Sequence, residues 1–375
     1  MDFSLSDEQR LLKDSVERFV RESYPPDARL KLMDSELGYS EQHWQQMAEL
    51  GWLGVTVDEE HGGIGGGPVE TMVLMEAFGT GLVLEPYLSS IVMGGNLVSL
   101  AGSQAQKQAV LPAMVQGSHK LAFAYVEAQA GYDLFDVQTR AEAGDGGWLL
   151  SGAKGVVLGA ASADTLIVSA RTAGDSRDLA GIGLFLVPRN APGVRLREYR
   201  TVDGLRAAEV ELSGVQVSAD AALGDPEGAY PVMEAVAART IAALCAEAVG
   251  AMDVMVESTN EYLKTREQFG RPIGKFQVLQ HQMVDMLIAS EEARSMACVV
   301  ALRLDEGGTA SARAVSGAKQ LIGKHGRMIG QRSIQLHGGM GMTEEMAIGH
   351  YFKRLTMIDI MFGDHTYHLK RYASL

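Results

Sequence analysis

Two stretches in the C-terminal third of the chain carry residue types that can bind a nucleotide. In the first, Arg266 stands at the end of a predicted helix and Phe269 follows just beyond it. A guanidinium offers a planar cationic fork to a phosphate, and a phenyl ring offers a face to an adenine ring. The alternative for this pair is a surface arginine beside a phenylalanine in the core.

The second stretch combines an amide side chain with two adjacent glycines. Gln335 is followed closely by Gly338 and Gly339. Because glycine has no Cβ, a pyrophosphate can approach its backbone amide closely. The alternative is a glycine that ends a helix and starts a turn.

Acidic and imidazole groups raise two further possibilities. Asp364, His365 and His368 lie close together, but they lack the cysteine set or the His-Glu-x-x-His spacing of zinc sites, so we predict no metal site. Asp364 can instead cap a helix or act as a base. Glu247 lies in a helix of alanines, where burial would raise its pKa, or it can pair with a neighbouring helix.

The elements that must position these residues follow the order α, β, α. Apolar residues recur at helical spacing from Ser6 to about Leu121, short apolar runs separated by Gly, Asp, Asn and Pro follow, and long periodic helices without a strand signal begin at Tyr230. We predict an α+β fold with an N-terminal α-helical domain at residues 1–120, a middle antiparallel β-domain at 121–226 and a C-terminal four-helix-bundle domain at 227–375.

Composition narrows the possible functions. A net charge of -14 with scattered basic residues argues against a nucleic-acid or anionic-membrane surface. Hydrophobic residues make up 46% of the chain, yet no segment shows an uninterrupted membrane-spanning run, and the N-terminus has no export leader. Cys245 and Cys298 lie in apolar helical stretches and are expected to be reduced. We therefore expect a soluble, cytoplasmic protein.

Three segments closely resemble signature segments of the acyl-CoA dehydrogenase family. They are residues 262–277 (YLKTREQFGRPIGKFQ), 335–345 (QLHGGMGMTEE) and, more weakly, 126–133 (VEAQAGYD). The resemblance spans the chain and implies the family's three-domain fold. It also implies α,β-dehydrogenation of an acyl-CoA thioester, with electron-transfer flavoprotein as the electron acceptor.

The resemblance also implies a cofactor site shared between subunits. The resemblance implies that a neighbouring subunit holds most of an FAD. Residues from both stretches of this chain would contact the ADP half of that FAD. The assembly is then at least a dimer and usually a tetramer. The implied contacts are Arg266, Phe269, Gln277, Gln335, Gly338 and Gly339.

The chain departs from the family where the catalytic carboxylate is expected. Removal of an α-proton from a carbon acid needs a positioned base. Most members place a Glu where this chain has Phe362, and some place it where this chain has Thr240; neither side chain can serve. The flavin-facing strand (KGVVL, residues 154–158) lacks the usual Trp and Thr, and Tyr132 replaces a small Ser.

Three hypotheses follow. The first is that this chain is the small, non-base-bearing subunit of a heteromeric dehydrogenase, similar to the small subunit of bacterial pimeloyl-CoA dehydrogenases, with a second, Glu-bearing subunit as its partner. The second is a homotetramer with a displaced base such as Asp364. The third is a structural subunit that binds no flavin.

Overall fold

The computed structural model of the protein describes residues 4–375. Helices form both ends of the chain and strands form its middle, so the predicted α+β fold of the acyl-CoA dehydrogenase type is confirmed. The helices are α1 Asp7–Ser23, α2 Pro26–Met33, α3 Glu41–Glu49, α4 Pro68–Gly81, α5 Asn96–Ala101, α6 Gln104–Val115, α7 Tyr230–Thr265, α8 Gln277–Arg303, α9 Gly308–His337, α10 Ala347–Ile360 and α11 His365–Ser374.

Local sequence explains where these helices begin. At the start of α1 the Ser6 hydroxyl accepts a hydrogen bond from the Gln9 amide, and the Gln9 side chain accepts one from the Ser6 amide. Ser103 and Gln106 form the same capping box at α6. Each box pairs amide groups that the first helical turn would otherwise leave without partners.

The middle of the chain forms a seven-stranded sheet in the order β1-β4-β2-β3-β7-β6, with β5 paired to β4. Its strands are β1 Leu121–Ala124, β2 Arg140–Gly144, β3 Gly147–Leu158, β4 Thr165–Arg171, β5 Ile182–Pro188, β6 Val194–Arg200 and β7 Arg206–Ser218. Most pairings are antiparallel, as predicted. The pairings of β4 with β1 and with β2 are parallel.

A short hairpin corrects the prediction that no strands follow Tyr230. Strands β8 Glu267–Gln268 and β9 Arg271–Pro272 pair in an antiparallel manner between α7 and α8. Two residues are too few to produce an alternating pattern, so periodicity could not reveal these strands.

Contacts divide the chain into two compact units. The helical unit contains the N-terminal residues up to Lys31, residues 68–83 and residues 241–375, and the sheet unit contains residues 32–67 and 84–240. The boundaries of the three domains given above remain a prediction.

Among residues 4–375, one helix has the length and composition of a membrane span. Helix α7 is long and apolar enough by those two criteria, contrary to the expectation from the sequence, and 83% of its most apolar window is buried within the protein. A buried core helix of a soluble protein passes the same test.

Helices α4 and α7 approach closely in the helical unit because glycines face the opposing backbone. A Cβ placed on Gly250 would lie 1.9 Å from the Glu76 carbonyl oxygen, and one placed on Gly79 would lie 2.0 Å from the Glu247 carbonyl oxygen. The two glycines therefore set the separation of these helices.

We predict that Gly250→Ala destabilises the protein despite the better helix propensity of alanine. The added methyl group must displace backbone, and overpacking of this kind costs about 1–3 kcal/mol in the free energy of unfolding. Urea unfolding followed by circular dichroism measures the change. Gly144→Ala is the control, because no atom lies within 4 Å of its added Cβ; equal stability of the two variants would contradict the close approach.

Candidate flavin-nucleotide site and the missing base

The first candidate stretch forms the tip of the β8–β9 hairpin. Phe269 and Gly270 connect the two strands with φ angles of 55° and 74°. Two positive φ values define the hairpin turn for which Asn-Gly is the preferred sequence, and a bulky residue in the first position is uncommon. Arg266, just before the hairpin, is exposed, and its carbonyl accepts a hydrogen bond from the Ile273 amide at 2.8 Å.

The Phe269 side chain projects into solvent from a hairpin whose position is fixed by side-chain contacts. Its side chain is 89% exposed, so the alternative of a core phenylalanine is wrong. Its ring meets the edge of Phe276 at a centroid distance of 6.1 Å, and the Arg271 guanidinium lies 4.3 Å from the Phe276 ring centre. An exposed aromatic side chain on strained backbone is the type of feature that occurs at binding sites.

The second stretch lies at the end of α9. Gly338 follows the last residue of this helix with φ 60° and ψ -142°, a conformation that favours glycine, so it does end the helix. A Cβ on Gly338 or Gly339 would meet no atom within 4 Å. Both glycines are exposed, as are Gln335 and Gln277, and the backbone at this turn is open to a ligand.

An aromatic contact brings the two stretches together. The Tyr262 ring stacks on the His337 ring at a centroid distance of 4.4 Å, and the Tyr262 hydroxyl donates to the His337 carbonyl at 3.3 Å. Tyr262 lies one turn before Arg266, and His337 directly precedes Gly338. Burial lowers the pKa of His337, which favours the neutral form of the ring. Neither residue was singled out from the sequence, because a stack between distant helices leaves no periodic signal.

A buried lysine fixes the turn that contains Phe362 by hydrogen bonds to its backbone carbonyls. Phe362 and Gly363 have φ angles of 57° and 108°. The Lys319 ammonium donates to the carbonyls of Asp359 at 2.7 Å and Gly363 at 2.8 Å, and burial lowers its pKa to about 8. Sequence reasoning missed Lys319; the only signal was its place on the buried face of α9, beside Ala318 and Ile322.

Thr240 stands at the second position where the resemblance implies a catalytic Glu, and its side chain has a structural role. It is fully buried, and its hydroxyl donates to the Val236 carbonyl of the same helix at 2.7 Å. A threonine bonded in this way satisfies its own hydroxyl and offers no base.

The nearby carboxylates each have a structural partner. Asp364 accepts a hydrogen bond from the Tyr367 amide at 2.7 Å and caps α11. Asp359 accepts from His365 Nδ1 at 2.9 Å. Together these contacts fasten α11 to α10.

Glu247 forms a buried bidentate ion pair with a neighbouring helix, which is one of the two possibilities predicted from the sequence. Its two carboxylate oxygens accept from Arg354 at 2.5 and 2.6 Å, and both residues are buried. Such a pair is strongly destabilised when one member is removed. Glu247 therefore joins α7 to α10.

The third resembling segment is held in the sheet unit by another buried ion pair. Glu127 accepts from Lys154 Nζ at 2.6 Å and from the Gln138 amide at 2.7 Å. Burial alone would raise the pKa of Glu127, but the adjacent ammonium outweighs it and lowers the pKa to about 2. The pair fixes this loop against the strand that carries residues 154–158.

The remaining expectations concern cysteines and metals. Both cysteines are free, and burial raises the pKa of Cys245 to about 12 and also raises that of Cys298. Within the part of the chain that the structure describes, no group of three His, Cys, Asp or Glu side chains is placed to hold a metal ion. His368 donates from Nε2 to the Phe362 carbonyl at 3.0 Å.

Comparisons with known proteins identify the family. Residues 6–118, 122–216 and 227–374 match the models of the acyl-CoA dehydrogenase N-terminal, middle and C-terminal domains. The chain is 30% identical to mitochondrial 2-methylacyl-CoA dehydrogenase of Solanum tuberosum over 366 residues, covering 96% of this chain and 88% of that protein.

Solved structures agree over the full length. The ChsE4–ChsE5 complex from Mycobacterium tuberculosis matches with a TM-score of 0.90 at 25% identity, covering 100% of this chain and 98% of the matched chain. The FAD complex of PigA matches with a TM-score of 0.91 at 26% identity and the same coverages. The chain belongs to the acyl-CoA dehydrogenase family, whose members are FAD-dependent oxidoreductases.

We predict that Phe269→Asn does not lower the thermal unfolding temperature of the flavin-free protein. Asparagine tolerates the positive φ angle that this turn requires better than phenylalanine does, and the lost ring makes few contacts within the chain. Differential scanning calorimetry measures the change. Phe276→Asn is the matched control and should be destabilising, since Phe276 is partly buried beneath Arg271 and Phe269; the reverse order of the two variants would contradict this description of the hairpin.

Proposed function

We propose that this chain is the small, non-base-bearing subunit of a heteromeric acyl-CoA dehydrogenase. In this assembly it lends residues to the nucleotide end of an FAD, while a second subunit of the same fold supplies the carboxylate that removes the substrate's α-proton. The observation that carries the proposal is a contrast. The residues expected to bind the nucleotide are exposed and unobstructed, while the two positions expected to hold the base are Phe362 and Thr240.

The exposed surface fits the ADP half of FAD. Arg266 supplies a cation for a phosphate, Phe269 supplies an aromatic face, and Gly338 and Gly339 leave backbone unobstructed. Gln335 and Gln277 add exposed amides at the ends of α9 and α8. FAD, when bound, supplies the hydride acceptor; the residues of this chain would orient its nucleotide end.

Three carboxylates of the helical unit do not replace the missing base. Asp364 caps a helix, Asp359 binds His365, and Glu247 is paired with Arg354. A carboxylate engaged in this way gives up stability if it moves to a substrate. A second subunit with the family's glutamate removes the conflict.

Two similarities support a partnered assembly. The chain matches a chain of the ChsE4–ChsE5 complex over its full length, and that complex is named for two proteins. Residues 242–250 and 352–359 resemble the small subunit of bacterial pimeloyl-CoA dehydrogenases and related two-gene enzymes. By family resemblance, the substrate is an acyl-CoA and electron-transfer flavoprotein accepts the electrons.

Native mass spectrometry of the protein purified from its own cells tests the proposal. We expect a second chain of similar size in a one-to-one ratio, with FAD retained in the complex. A homotetramer of this chain alone that oxidises acyl-CoA at full rate would overturn the proposal, and colourless protein with no flavin in the assembly would favour the structural subunit.

We predict that Asp364→Asn leaves acyl-CoA-dependent flavin reduction unchanged. Asparagine caps helices as well as aspartate does, so the variant keeps α11 but removes the carboxylate. The measurement is anaerobic stopped-flow absorbance of the native assembly. Loss of a general base slows proton transfer by about 10²–10⁴-fold, and a drop of that size in this variant would identify Asp364 as a displaced base.

We predict that Arg266→Gln weakens FAD retention by about tenfold or more, because a charge-assisted hydrogen bond to phosphate is lost. Equilibrium dialysis of the assembly measures the dissociation constant of FAD. Arg327→Gln is the matched control, since Arg327 is an exposed arginine on α9. Equal FAD affinity in both variants would remove Arg266 from the proposed site.

A further inference from the structure

A cavity lies in the helical unit between α8, α9 and α11. Its volume is about 540 Å³, within the range of small-molecule sites. Met296 and Val299 of α8 and Leu369 and Tyr372 of α11 form apolar walls. None of the residues assigned above to the flavin or to the base positions lines this cavity.

Two arginines give the cavity its charge. Arg303 and Arg313 both line it, and neither forms an ion pair within the part of the chain that the structure describes. Acidic residues outnumber basic ones in the sequence, 47 to 33, so partners for these cations were not scarce. Two like charges that line one cavity repel each other, and an anion bound between them offsets that repulsion.

The surroundings of each guanidinium favour an added anion. The Nε atom of Arg303 is buried and has no hydrogen-bond partner, an arrangement that is destabilising until an acceptor is supplied. The Arg313 guanidinium lies over the Tyr372 ring at 4.6 Å, which fixes its plane at the cavity wall. Gln320 adds an amide to the same lining.

Small side chains keep the floor of the cavity open. Gly317 of α9 faces it, and a Cβ placed there would lie 3.5 Å from Tyr372 and 3.7 Å from Met296, ordinary contact distances. Ala310 and Ala314 continue the same face of α9. A larger side chain at Gly317 would enter this space, because its nearest neighbours are side chains and not backbone.

We propose that this cavity binds a small organic anion with an apolar body, whose carboxylate lies between Arg303 and Arg313 and whose hydrocarbon part packs against Met296, Val299 and Leu369. Arginine forks match the geometry of a carboxylate, and the apolar walls favour a hydrocarbon over a bare inorganic ion. The proposal goes beyond the flavin site and does not depend on it.

Isothermal titration of the native flavoprotein with sodium decanoate tests the site. We expect saturable binding of one decanoate per chain, much weaker binding of acetate, which lacks the apolar body, and of decanol, which lacks the charge. Arg303→Gln and Arg313→Gln should each weaken decanoate binding by about tenfold or more. Gly317→Leu should abolish it by filling the cavity.

The matched control is again Arg327→Gln, which removes one positive charge from α9 outside the cavity and should bind decanoate as the unaltered protein does. Native mass and flavin absorbance are recorded for every variant. Binding that persists in all three cavity variants places the anion elsewhere and overturns the proposal. A change of native mass in the arginine variants, with no decanoate binding to the unaltered assembly, would show that another subunit covers the cavity and would also overturn it.

Discussion

A carbon acid yields its proton only to a positioned base, and this constraint governs the interpretation of the whole chain. The family chemistry needs a carboxylate beside the substrate, and the turn expected to carry it presents Phe362 instead. The backbone of that turn is nevertheless well determined, since the Lys319 ammonium and the His368 ring bind its carbonyl groups. The turn is therefore fixed in position although it carries no carboxylate at Phe362.

The acids that remain have become part of the architecture. Glu247 and Arg354 join α7 to α10, while Asp359 and Asp364 set the start of α11. Loss of one partner from a buried ion pair or a helix cap destabilises the folded protein. Moving one of these carboxylates to a substrate would therefore lower the stability of the fold. The proposed nucleotide-binding surface is different, because its arginine, amides and glycines are exposed and contribute little to the packing of a single chain. We propose that a ligand contacts these exposed groups.

Much of the fold follows from local patterns in the sequence. The seven main strands lie between clusters of turn residues, and the long helices show unbroken apolar periodicity, so their existence and approximate positions are predictable. The parallel pairing of β1 with β4 and the two-residue strands β8 and β9 are not, since they depend on tertiary pairing. The Tyr262–His337 stack that joins the two nucleotide-binding stretches is invisible for the same reason. Residue identity indicated Arg266 and Phe269, but only the structure reveals that Phe269 is exposed on a strained turn.

An experimental structure of the native, flavin-bearing assembly tests the central claim most directly. Our account predicts that Arg266, Phe269 and Gln335 contact the nucleotide end of an FAD, and that the carboxylate beside its reactive ring belongs to a different polypeptide. The account is contradicted if those three side chains touch no dinucleotide, or if the carboxylate beside the ring is Asp364 of this chain.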